Sequence, residues 1–422
     1  MPPSVLSSSP PPHCFTSRDQ LKEAVNAYMM DQSKYSPVAQ KHGFPIGSWC
    51  VTYVADFSNL FHNGALATDL IAHEDTLSVK FLHFDESLAG WDVSKGISFD
   101  NCFRGAKHFS GVGLERWNVS NAKTMSHMFH EAEHFNKDLS DWDVSKVVNF
   151  EAMFEGAKAF NGDISSFNTS SGKNMKRMFR NAYSFNGDLR SWDFSLVSDM
   201  EEMFAKAVRF EGGDLRRWNC CSNVKSLAGV FFHAKAFKGI ISTWDVSKVQ
   251  SMSQLFQGAE SFNSVIRNWD VAAVEDMSFT FAFATAFNSP LSSWSTEKLK
   301  VADAMFMNAT SFDQPLNDWN VTSLRHADAF LLNAKRFNQP LDKWQLTSIQ
   351  KIGGMFAGAL SFHQSLCSWG DVIPGGKDRH VLLRSDHLEA QHTTLFSNTA
   401  CPQTGNPLFL LEPAGPFCEE CS

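Results

Sequence analysis

Long apolar runs are missing from this 422-residue chain; the best candidate, Leu408 to Leu411, falls far short of the roughly 20 apolar residues a membrane helix needs. A recurring basic stripe is missing too, and the formal net charge of −8 argues against a nucleic-acid phosphate partner. No Gly-x-Ser-x-Gly, P-loop or Gly-x-Gly-x-x-Gly occurs, so nothing seats a hydrolase nucleophile or cradles a phosphate. The motifs therefore point away from an enzyme, and no cofactor is implied. Met1 to Pro12 lacks the basic start and apolar core of a secretory signal, and its Ser/Pro content predicts disorder.

What is present is a repeat. All 12 tryptophans share one phase of it; from Trp91 to Trp369 they recur every 25 or 26 residues, with Phe167 filling the one doubled step. A fixed period in this range is the mark of a solenoid. With each Trp as position zero, apolar residues fall at +5, +8, +11, +12 and +15, as in Val147, Phe150, Met153, Phe154 and Ala157 after Trp142. That spacing predicts one face of a helix, and the Ser or Thr at +3 (Ser145, Ser195, Thr322) predicts its N-cap. The +15 alanines, Ala132 and Ala157 among them, predict close packing.

Phe-Asn pairs follow, such as Phe160-Asn161 and Phe287-Asn288; the Asn suits a turn and, stacked rung on rung, would bond the backbone of the next. The segment Leu-x-x-Trp-x-Val then reads as a short strand. The fold expected is an α/β repeat solenoid of leucine-rich-repeat type, with one short parallel strand and one helix per 25–26-residue unit.

The ends depart from the pattern. The expected divisions are a disordered leader over 1–16, a helical N-terminal cap over 17–48, repeats over 49–369 and a C-terminal tail over 370–422. Ser17 and Gln20 form a capping-box pattern that opens a helix through about Met30. An insertion is expected near 62–83, because Trp91 lies 42 residues beyond Trp49. The tail holds a decayed last repeat, and atypical terminal repeats are expected of solenoids.

The string W-D-V-S-x-V-x-x-M-x-x-M-F-x-x-A-x-x-F-N resembles the BspA-like leucine-rich-repeat surface proteins, and Leu-x-x-Trp-x-Val is similar to the leucine-rich-repeat strand. The resemblance implies a non-enzymatic surface or secreted scaffold for binding or adhesion, extracellular or at the cell surface, with a protein or glycan partner. It supplies no catalytic residue. The alternative is an intracellular structural or assembly scaffold.

Three groups of side chains bear on these readings. At +1, Asp92, Asn118, Asp143, Asn168 and Asp193 belong to a column that includes Asn219, Asp245, Asp270 and Asn320. Alternation along a strand sets it beside −1 residues such as Asp141 and Ser166, a polar strip suited to Ca²⁺, a glycan or a protein. Turn bonding alone also explains such a column. Cys367, Cys401, Cys418 and Cys421 cluster near the C-terminus as disulfides, free thiols or a zinc site, whereas Cys102 and Cys220 occupy core positions. His108, His127, His130 and His134 lie near one another, but at offsets +10, +13 and +17, where other repeats carry polar residues. They are expected to form a solvent-facing polar surface rather than a metal site.

Overall fold

The computed structural model describes residues 11, 13–62, 77–218, 220–366, 368, 369, 395 and 399. They fall into two compact units, Met1–Gly187 and Asp188–Ser422.

The first unit opens with α1 (Arg18–Met30) and α2 (Pro37–His42). The Ser17 hydroxyl accepts from the Gln20 amide at 3.3 Å, and the Gln20 side chain reaches back to the Thr16 amide at 3.1 Å. The reciprocal bond thus lands one residue before the N-cap. Leu21, Ala24, Val25, Tyr28 and Met29 form the buried face of α1. A Cys14–Cys50 disulfide fastens the chain ahead of α1 to the first rung. The expected insertion contributes α3 (Leu77–Leu82).

Each repeat is a rung of consecutive turns, and the predicted helix is absent from the described repeats. After Trp117, the amides of Met125, His127, Phe129 and Glu131 donate across to the carbonyls of Asn149, Glu151, Met153 and Glu155 at 2.7–3.0 Å. Between them, the amides of Met128, His130 and Ala132 close turns onto carbonyls three residues back. Residues at +10 and +14 are left-handed, with φ 55° at His127 and 58° at Glu131. The second unit repeats this: Ala302, Ala304, Phe306 and Asn308 donate to His326, Asp328, Phe330 and Leu332 at 2.7–2.8 Å.

The physical reason is amide bookkeeping. A helix would satisfy its amides internally, whereas each left-handed residue rotates alternate amides toward the neighbouring rung. The inward set is unchanged, and Met125, Met128, Phe129 and Ala132 are all fully buried. The predicted strand is corrected in the same way. Leu-x-x-Trp forms a turn, with the Trp142 amide on the Leu139 carbonyl at 2.9 Å. Parallel pairing does occur, but one residue wide and mostly at +7: Ser98, Thr124, Asn149 and Asn174 in one unit, Ser251 through Lys351 in the other, where Asp214 and Ile240 also pair at +22.

Within each unit the interior is a set of aromatic columns. Trp91 and Trp117 stack at 6.3 Å, and Trp294 and Trp319 at 6.2 Å. The indole N–H of Trp142 donates to the Leu114 carbonyl of the preceding rung at 2.9 Å, and Trp319 treats Leu291 likewise at 3.0 Å. These large rings are thereby buried with their polar atoms satisfied, whereas the buried indole N–H of Trp244 has no acceptor among the described residues. The Asn columns bond the backbone as expected: Asn136 Oδ1 accepts from the Asn161 amide at 2.8 Å, and Asn161 Oδ1 from Asn186 at 2.7 Å. Asn263 and Asn288 form the same pair in the second unit at 2.8 Å.

Candidate functional site

The +1 column is outward-facing. Asp92, Asn118, Asp143 and Asn168 are exposed, and Asp193, in the second unit, is half-buried. Each also holds its own backbone. Oδ1 accepts from the amide two residues on, at 3.1 Å for Asp92 and Asn118, 3.0 Å for Asp143, 3.1 Å for Asn168 and 2.8 Å for Asp193. These are Asx turns, and the expected helix cap at Ser145 and its equivalents is in fact the donor side of one. Asp92, Asp143 and Asp245 are held below the usual carboxylate range, foremost by hydrogen bonds from Ser94, Ser145 and Ser247. Asn219 lies outside the described residues.

Beside them, the −1 hydroxyls stitch rungs together. Ser166 donates to the Ser140 carbonyl, and Ser293 to the Arg267 carbonyl at 2.6 Å. The carboxylate of Asp318, also at −1, pairs with Lys343 at 2.8 Å. The strip combines outward polarity with a structural duty at nearly every position.

A second variable set of side chains lies at +10 and +13, the side on which the sequence predicted helices, and it is half-buried to buried rather than exposed. In the first unit these positions carry Asn101 and Arg104, His127 and His130, Ala152 and Glu155, then Arg177 and Arg180. In the second unit they turn apolar from Phe279 onward: Ala304, Ala329, Leu332 and Ala357 form a buried cluster, with the half-buried Phe279 and Met307 packed against it.

His127 and His130 do not face solvent as expected. Both are half-buried, and their Nδ1 atoms lie 2.9 Å apart. Glu155 Oε2 sits 3.7 Å from His130 Nδ1, with side-chain exposures of 14% for His130 and 11% for Glu155. Burial first, then the Arg104 guanidinium, push the His130 imidazole down to about 3, so it is neutral near pH 7. The four histidines thus divide in two. His108 and His134 are exposed and instead form a row with His83, at ring separations of 4.6 and 4.8 Å.

Two described clusters have metal-ligand chemistry. In His13, Cys14 and Cys50 the thiols are spent on the disulfide. In the other, ligand atoms of His127, His130 and Glu155 lie within 4.8 Å of one another. Glu155 escaped the sequence reading; the available signal was that it occupies +13 in the rung after His130. Cys102 is buried as expected, and burial pushes its thiol up. Cys220 is also buried, bonded to Cys221. Cys367, Cys401, Cys418 and Cys421 lie outside the described residues.

Comparison with curated proteins found no match. Among solved structures, one titled "Crystal structure of TLR13-ssRNA13 complex" is similar at 13% identity over 74% of this chain and 55% of that one, with a TM-score of 0.26. So loose a superposition carries no argument about fold detail or ligand, and this chain spans only about half of that protein. No helix among the described residues is long and apolar enough to cross a membrane. The model of the family described as "Mycoplasma protein of unknown function, DUF285" matches six overlapping stretches, 29–111, 72–183, 139–240, 200–308, 225–339 and 302–373. A tandem match across the repeats, on rungs of this construction, identifies the chain as a repeat protein belonging to the DUF285 family.

Proposed function

We propose that the chain is a non-catalytic binding scaffold, displayed at a cell surface or secreted, that presents its outward columns to a protein partner. One observation carries this reading. The inward columns barely change from rung to rung, whereas the mostly exposed +1 column and the partly covered +10 and +13 positions vary, the latter running through Asn, Arg, His, Glu, Ala, Phe, Met and Leu. Stacked repeats hold a fold with their constant positions and vary the surface that meets a ligand. Phe283 and Leu360, 39% and 54% exposed in the second unit, favour a protein over a glycan. The Cys14–Cys50 disulfide supports an oxidising compartment, in keeping with the BspA-like resemblance of the repeats.

The test uses intact cells making the full chain, treated with a membrane-impermeant amine label, followed by non-reducing peptide mapping. Labelled chain with Cys14 and Cys50 in one linked peptide is expected. Unlabelled chain with both thiols free would favour an intracellular scaffold. Probing the purified chain against arrays of extracellular proteins and of glycans then separates the partner classes; capture by glycans alone overturns the protein assignment. Replacing Asp92, Asn118, Asp143 and Asn168 together by Ala reads whether the +1 column takes part. Lost binding with unchanged dichroism places the partner there, and lowered stability with intact binding leaves it on the +10 and +13 side.

A further inference from the structure

We propose that His127, His130 and Glu155 form a binding site for one divalent cation of the zinc class. Two imidazole nitrogens and one carboxylate oxygen are the donor set that suits this ion, leaving a fourth position for water. Ligand atoms ~2.1 Å from a tetrahedral centre lie about 3.4 Å apart. The two Nδ1 atoms are 2.9 Å apart, His130 Nδ1 lies 3.7 Å from Glu155 Oε2, and all three ligand atoms fall within 4.8 Å of one another, so side-chain shifts of up to about an ångström would seat the ion.

Without metal, one Nδ1–H donates to the other Nδ1. Binding needs both lone pairs, so the donor ring moves its proton to Nε2, and no net proton is lost. Glu131 Oε1 lies 3.9 Å from His130 Nε2, and a side-chain shift of about 1 Å would let it accept the Nε2–H of a ligating His130 as the usual outer carboxylate. Arg180 Nη1 lies 3.4 Å from Glu155 Oε1 and turns Oε2 toward the imidazoles. Of the surrounding charges, Arg104, Arg177 and Arg180 oppose a cation, while Asp100, Glu131, Glu151 and Glu155 favour it. The acidic groups outnumber the basic ones by one, and the ligands are neutral imidazoles that need no deprotonation. Because Glu155 comes from the next rung, the ion ties two rungs together.

The experiment titrates the full-length chain, thiols first alkylated, with ZnCl₂ by calorimetry and with Co²⁺ by absorption. One ion per chain is expected, with cobalt d–d bands and no sulfur charge-transfer band. His130→Asn and Glu155→Gln should each weaken zinc binding at least about tenfold. Zinc should raise the melting temperature of the parent chain and not of these variants. The His108→Asn/His134→Asn double variant should bind as the parent does. If His130→Asn fails to fold, Glu155→Gln decides. Absence of zinc binding, binding indifferent to Glu155→Gln, or binding lost in the double variant overturns the proposal.

Discussion

Asp143 illustrates how one exposed side chain serves the backbone of this protein: its carboxylate stands in for a missing amide partner at the start of a rung. Replacing it by Ala should cost about 1 kcal/mol, the ordinary net worth of such a bond, whereas Asp143→Asn keeps the Oδ1 acceptor and should be nearly neutral. The acid dependence has a definite sign. Asp92, Asp143 and Asp245 are all held below the ordinary value of 3.8, so their stabilisation is present above it and lost as pH falls through the depressed values. Calorimetric melting at pH 7 and pH 3 should show Asp143→Asn losing less on acidification than the parent. A melting temperature for Asp143→Ala equal to the parent's would mean that the turn contributes nothing. This residue was visible in the sequence, and so was its ambiguity: Asp two residues before a Ser suits a helix start and an Asx turn alike. Only the observed amide geometry separates them.

At the scale of an element, α1 acts as a substitute for a rung. Carbonyls at +9, +11 and +13 elsewhere accept from the amides of the preceding rung, and the first rung has none before it. Arg18 Nε donates to the Ser58 carbonyl at 3.0 Å, while Lys22 Nζ serves Leu60 and His62 at 3.0 and 2.7 Å. One helix thus covers an exposed backbone edge with side-chain donors, closing off a template for unwanted pairing. Burial, with the Arg18 charge second, lowers the Lys22 ammonium from 10.5 to about 8. The unfolded chain therefore holds this proton between pH 8 and 10.5 when the folded chain does not, and stability rises with pH across that window. Lys22→Met should abolish that rise and accelerate amide exchange at Phe57, Asn59 and Phe61. Unchanged exchange at all three would show that the rung edge needs no donors from α1. The helix itself was legible from Ser17 and Gln20, but its job was not, since the carbonyls it covers lie about forty residues away in sequence.

For the whole molecule, stability rests on repeated aromatic burial within each unit. Trp319 is 3% exposed, stacked on Trp294 and bonded to the Leu291 carbonyl. Trp319→Ala should cost about 3–5 kcal/mol from the cavity it leaves. Trp319→Phe should cost about 1–3 kcal/mol, mostly from the stranded carbonyl. Urea unfolding measures both, and a cost for Trp319→Ala below that of Trp319→Phe would contradict a core role for the tryptophan column.

The sequence by itself determined the period, the rung register, the inward set and the Asn columns, because burial of apolar side chains and repetition leave a periodic trace that needs no coordinates. It did not determine the conformation between them. Inward positions at +8, +11, +12 and +15 suit a helix and a run of turns equally, although Gly156, Asn181, Gly258 and Asn308 at +14 carried the signal for left-handed backbone. Stacking decided the matter, since alternate amides find their acceptors only in the next rung. Stacking also brought Glu155 to His130, and folding of the N-terminal segment brought Cys14 to Cys50, contacts between residues 25 and 36 apart in sequence. Such meetings depend on rung register and chain return, which are properties of the packed backbone rather than of any local pattern.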